Sequence, residues 1–242
     1  MLENIPWYEA ALLIGIASST YAGIAAYRLN PKGKANRVFL WIGIIAALWN
    51  LIAYLRSFPL GAEIAVLLIK IQFSIGIAAG GGVLDLLQSF SSTRYNRALN
   101  YIPSAALGAV ILLTGLVVKQ ESAAWFTYAG AGGEFLWLLQ AYLILFVVWG
   151  GAMSVAGWRK LSDKGKKYFG GIMWIISPVI ALTLFDSAMI LQGIPFPNIT
   201  NAAIGPVDLV AVYIFMRYKK PGGGKEKARG NEARVMAFFG VL

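Results

Sequence analysis

Apolar residues fall in seven long runs separated by short polar stretches. A membrane helix needs about 20 mostly apolar residues at about 1.5 Å each. By that measure the runs predict spans at 7–27, 38–57, 62–88, 101–118, 136–157, 169–190 and 200–217. The expected fold is all-α, a polytopic membrane protein built as a seven-transmembrane helix bundle. The breaks carry helix stop signals: Asn30-Pro31-Lys32-Gly33 after the first run, Pro59 after the second, and Gly193 to Pro197 after the sixth. A helix from Gly61 to Phe90 would extend about 45 Å, beyond the roughly 30 Å hydrocarbon core. It is therefore expected to tilt or to project into the cytoplasm. The connection 119–135, with Glu121, Glu134 and several aromatic residues, is expected to form an ordered cap on the outer surface.

The basic residues orient these spans. Eighteen of the 21 Lys and Arg residues lie in four stretches, 28–37, 91–100, 158–168 and 217–242, which alternate with pairs of apolar runs. Cytoplasmic loops are enriched in Lys and Arg, so the amino terminus is expected outside and the carboxyl terminus in the cytoplasm. Met1-Leu2-Glu3-Asn4 has no basic residue, so the first run reads as a retained helix rather than a signal peptide. Trp7, Tyr27, Trp41, Trp125, Tyr128, Trp137, Trp158 and Tyr168 fall near span ends, as an interfacial aromatic belt requires. Residues 1–218 are expected to form the membrane domain and 219–242, which begins Lys219-Lys220-Pro221-Gly222-Gly223-Gly224, a flexible basic cytoplasmic tail.

Composition narrows the chemistry. With 58% apolar and 13% charged residues, the chain is not a soluble domain. The net charge of +10 belongs to cytoplasmic loops, so it implies no nucleic-acid partner. The expected partner is the lipid bilayer of the plasma membrane, with anionic lipid favoured at the inner face. There is no Cys and no His. Disulfides, Cys- or His-based metal and haem sites, and Ser-His or Cys-His nucleophiles are excluded, and no cofactor or metal is expected.

Ionisable groups at bilayer depth are costly and usually face the bundle interior. Those in question are Arg56, Lys70, Asp186 and Asp208, with Glu63 at the outer edge, Asp85 at the inner edge and Asn50 about two turns below Arg56. Counted from the span ends, Lys70 and Asp208 lie about 13 Å deep. Glu63 and Lys70 share a face. The grouping predicts an outward-opening crevice lined by Lys70, Asp186 and Asp208 above a barer inner half. The alternative is a buried Lys70–Asp208 ion pair that only fixes packing. Asp85 is expected to pair with Arg94 or Arg97. Gly80, Gly81 and Gly82 predict either close helix packing or a hinge. Pro178 and Gly205-Pro206 predict kinks. Asn198-Ile199-Thr200 matches a glycosylation acceptor.

Several segments carry a resemblance: Asn30 to Trp41, Ala47 to Tyr54, Lys70 to Gly76, Gly133 to Tyr142, Ile175 to Pro178 and Gly193 to Phe196. Over residues 8–218 the chain resembles the amino-terminal seven-transmembrane sensory region of prokaryotic histidine kinases and related signalling proteins. The resemblance implies a membrane sensory module that passes a signal inward through its last helix, toward a separate cytoplasmic or membrane signalling partner. It brings no catalytic residue, and the family's usual cytoplasmic domain is not found after Lys220. Without a His, self-phosphorylation of the usual kind is excluded.

The leading expectation is thus a sensory or partner-binding module without catalytic activity, taking a small molecule or lipid in its outer half. A small-solute or ion transporter or channel is the alternative. A structural accessory subunit is a further one. No Lys lies between Thr200 and Met216, so a retinal photoreceptor is not expected. Asp186 and Asp208 also lack the Tyr-Asp and Gly-x-Gly-Asp settings of intramembrane aspartic proteases.

Because the chain has no native Cys, orientation can be tested with single introduced thiols. In intact cells a membrane-impermeant maleimide should label Ser122→Cys. It should label Ser92→Cys only after permeabilisation.

Overall fold

The computed structural model describes residues 6–58, 60–90, 96, 98–118, 133–159, 163–191 and 199–217. Among them the chain forms seven helices: α1 (Pro6–Leu29), α2 (Lys34–Leu55), α3 (Ala62–Phe90), α4 (Ala98–Leu113), α5 (Leu136–Trp158), α6 (Asp163–Leu191) and α7 (Ile199–Arg217). α1, α2, α3 and α5 are each long and apolar enough to cross a membrane. The expected tail and most of the expected cap, 119–132, lie outside the described residues.

Pairwise contacts fix the topology. α1 packs on α2 and α7, α7 on α6, α6 on α5, α5 on α3 and α3 on α2, closing a ring with α4 laid against α3. Asn36 reaches Ala26 and Gly43 faces Gly23, so α2 runs antiparallel to α1. Ser19 meets Asp208 and Tyr8 meets Asn201, so α7 runs parallel to α1. The same logic makes α3 antiparallel to α2 and α4 antiparallel to α3. The end holding the amino termini of α1 and α7 is called the upper end below.

α1 is the seam of the bundle. Beyond Tyr8 and Leu12, its buried face is made of small residues, with Ser18, Ser19, Ala22 and Ala26 almost fully covered. Small residues let helix backbones touch, which is how helices gain packing energy where lipid supplies no hydrophobic drive. A methyl group added at Gly43 of α2 would lie 2.7 Å from the Ser19 carbonyl oxygen and 2.9 Å from the Gly23 Cα. One added at Gly205 of α7 would lie 3.0 Å from Ser18 Oγ and 3.1 Å from the Gly15 Cα.

α3 runs without a break through Gly80, Gly81 and Gly82. Each lies under a different neighbour: Gly80 under Tyr142 and Phe146 of α5, Gly81 under Asn100 and Ser104 of α4, and Gly82 beside Ile42 of α2. These contacts are the close helix packing expected of small residues. Pro178, Pro206 and also Pro103 lie inside α6, α7 and α4, and all three helices continue past them. Each proline removes one backbone donor from its helix.

α4 is shorter than its expected span 101–118. Its 16 residues extend about 24 Å, less than the roughly 30 Å core. The chain leaves the helix at Thr114 and turns back over the bundle. Val117 and Val118 are fully buried there, in a cluster with Ile69, Phe73, Ile77, Ile111, Leu136 and Leu139. Two backbone bonds, Gly133 N–H to Val117 O (2.8 Å) and Phe135 N–H to Leu116 O (2.8 Å), clamp the base of the 119–132 segment. Away from these contacts the surface is apolar: Leu113, Trp174, Leu145, Val148 and Trp41 are all exposed. In a chain with membrane-length helices such a surface faces lipid.

Gly43→Val should push α1 and α2 apart and cost about 1–3 kcal/mol, the range for overpacking. Gly151→Ala, where nothing lies within 4 Å, should leave the midpoint of thermal unfolding in detergent unchanged or slightly raised.

Candidate functional site

The upper end holds a hydrogen-bonded cluster drawn from five helices. Tyr8 of α1 is 1% exposed, and its hydroxyl accepts from Asn201 Nδ2 of α7 at 3.0 Å. Asn201 Oδ1 in turn accepts from the Trp49 indole N–H of α2. Gln72 of α3 donates to the Trp49 carbonyl oxygen (3.1 Å) and accepts from the Arg56 guanidinium (3.3 Å). Arg56 lies just past the last residue of α2, and its backbone N–H bonds back to Ile52 O. Asp186 of α6 completes the set: its carboxylate accepts the backbone N–H groups of Ile199 (3.3 Å) and Thr200 (2.8 Å). These are donors in the first turn of α7, which its own helix cannot satisfy. Asp186 therefore caps α7 from another helix, and its negative charge suits the positive end of the helix dipole. Arg56 and Asp186 bring opposite charges into the field of the Tyr8 hydroxyl.

The expected site residues divide around this cluster. Arg56 and Asp186 belong to it. Asn50 is fully buried one turn below Ala53, its side chain against the bare backbone of Gly15. Neither its amide nitrogen nor its amide oxygen has a hydrogen-bond partner among the described residues. Asp208 is 9% exposed and lies deeper on α7, where it accepts from Ser19 of α1.

Lys70 does not join them. Trp49 covers Gly76 and Ile42 touches Gly82, a register that sets Lys70 level with Tyr54, near the upper end of α2. It is only half-buried and on the same face as Ser74, which bonds Gly108 of α4. α7 packs on α1, α6 and α2 instead. The expected Lys70–Asp208 pair is not formed, and Lys70, Asp186 and Asp208 do not line one crevice. α3 runs on past the upper end of α2, and Glu63 there is exposed.

The lower end is not bare either. Lys34 of α2 lies 3.4 Å from Asp85, which also accepts from the Tyr101 hydroxyl (3.3 Å). The carboxylate is thus met by Lys34; Arg94 and Arg97, its expected partners, fall outside the described residues. Asn100 donates to Gln88 (3.4 Å), and Ser104 bonds the Asn100 carbonyl oxygen (3.0 Å) and the Tyr142 hydroxyl (2.7 Å). The residues that charge-based reading passed over are neutral: Tyr8, Trp49, Gln72, Asn201, Gln88 and Asn100. An amide inside an apolar run was the available signal.

Asp186→Ala should remove the cap from two backbone donors of α7 and cost about 0.5–2 kcal/mol. Asp186→Asn keeps an acceptor oxygen and should cost less. Thermal unfolding of the two variants in detergent provides the comparison.

Compared with family models, with curated proteins and with solved structures, the chain matches none.

Proposed function

We propose that this chain is a seven-pass plasma-membrane module, amino terminus outside, that senses or binds a partner at its upper end and transmits the event inward through α7. Occupants consistent with the site are a small polar molecule or a lipid. The receiver is a separate signalling protein, as the resemblance to kinase sensory regions implies. One observation carries the reading: the first turn of α7 is held by side chains of three other helices, Asp186 of α6, Tyr8 of α1 and Trp49 of α2. A change in any of these contacts acts at the head of a helix whose far end leads to the basic carboxyl-terminal segment. The alternating helix directions support the orientation. Helix ends and connections at the lower end carry Arg28, Lys32, Lys34, Arg37, Arg94, Arg97, Arg159 and Lys160, which favours that end as the cytoplasmic one.

A transport reading has an observation in its favour. The buried polar groups Asp85, Gln88 and Asn100 give the lower half its own hydrophilic lining. Proteoliposome flux separates the two. Spin labels at Lys32→Cys and Tyr213→Cys should report a changed distance distribution when Asp186→Ala or Asn201→Ala loosens the head of α7, with no solute flux above protein-free vesicles. An unchanged distribution in both variants would remove the signalling reading, and flux lost on Asp85→Asn would establish the alternative.

A further inference from the structure

Below the Tyr8–Asn201 contact, the seam between α1, α2 and α7 continues as a column of oxygen-bearing side chains. Asn50 abuts Gly15, Gly15 faces Gly205, and one turn further along the same two helices Ser19 meets Asp208. Ser18, between them, donates to the Gly15 carbonyl oxygen at 3.1 Å. Two features of this column are out of balance. Asp208 is a carboxylate more than nine-tenths buried whose partner among the described residues is a neutral hydroxyl. Asn50 is fully buried with both polar atoms unpartnered among the described residues. Burying a charge without compensation costs far more than a hydrogen bond returns. An unpaired buried amide adds its own desolvation cost. One occupant would resolve both.

We propose that the seam binds a monovalent alkali cation, Na⁺ or K⁺, held by the Asp208 carboxylate, the Ser19 hydroxyl oxygen and the Asn50 amide oxygen. A hard cation takes oxygen ligands, and Asn50 and Asp208 stand about one helical turn apart along the seam, on different helices. Ser19 gives its proton to Asp208 and keeps lone pairs for a cation. A single carboxylate neutralises a single charge, which favours a monovalent over a divalent ion. Gly15 and Gly205 let the Asn50 amide and the α7 backbone come in against α1: a methyl group at Gly15 would lie 2.5 Å from Asn50 Nδ2. The charged groups on the packed helices lie elsewhere. Arg56 and Asp186 belong to the upper cluster, and the Lys34–Asp85 pair lies at the lower end.

The test uses the full chain in detergent at fixed pH and ionic strength, exchanging choline chloride for NaCl or KCl. The unfolding midpoint should rise saturably with one of the alkali ions, by mass action on the folded state. The rise should be lost in Asp208→Asn and weakened in Asn50→Ala and Ser19→Ala, yet retained in Asp85→Asn. Should the seam variants fail to fold, sodium-23 line broadening on the wild-type protein, reversed by competing K⁺, decides the question without them. Equal midpoints in choline and in both alkali salts, together with no sodium line broadening, would overturn the proposal. So would an alkali-ion effect that Asp208→Asn retains. A midpoint that answers to pH alone would assign the compensating charge to a proton and also overturn it.

Discussion

Backbone contact along α1 sets the distance between three helices, and the buried polar chemistry follows from that distance. Gly15, Ser19 and Gly23 recur every fourth residue, so one strip of α1 presents almost no side chain. α2 and α7 come in until Gly43 and Gly205 meet it. Only at that range can Tyr8 touch Asn201 across the seam, or Ser19 touch Asp208. A larger residue in the strip would not simply leave a gap elsewhere; it would uncouple hydrogen bonds two turns away.

The head of α7 shows a second use of the same economy. Helix amino termini leave donors that water normally satisfies, and a helix that begins inside a bundle must find acceptors from its neighbours. Asp186 provides them from α6, while Asn201 ties the same turn to α1 and α2. The carboxylate is thus a structural part of a helix it does not belong to. This gives α7 a start position fixed by three other elements.

How much of this could be read from the chain depended on which interaction set each position. Helix number and order follow from apolar runs longer than any soluble strand or loop, and all seven were legible. The shortness of α4 was not, because Thr114 to Val118 is as apolar as a helix while its backbone bonds go to Gly133 and Phe135. Asp186, Arg56 and Asn50 stood out as polar residues in apolar surroundings, and all three are buried at the upper end. Lys70 stood out on the same ground and is elsewhere, since counting from helix ends assumes that the ends are level. The α2–α3 register, set by Trp49 over Gly76 and Ile42 beside Gly82, makes them uneven. Tyr8, Gln72 and Asn201 were missed because neutral groups draw no attention until a partner is placed opposite them.

The glycine triplet of α3 has a mechanical corollary. Successive residues on a helix are turned by about 100°, so Gly80, Gly81 and Gly82 open three notches around the circumference of α3, occupied by α5, α4 and α2. A methyl group at Gly81 or Gly80 would lie 3.0 Å from the Asn100 carbonyl oxygen or 3.1 Å from the Tyr142 hydroxyl, whereas one at Gly82 would meet Ile42 at an ordinary contact distance of 3.4 Å. Two of the three notches are thus tight enough to oppose rotation of α3 about its own axis. The close fit at Gly80 and Gly81 therefore holds the rotational setting of α3 against α5 and α4.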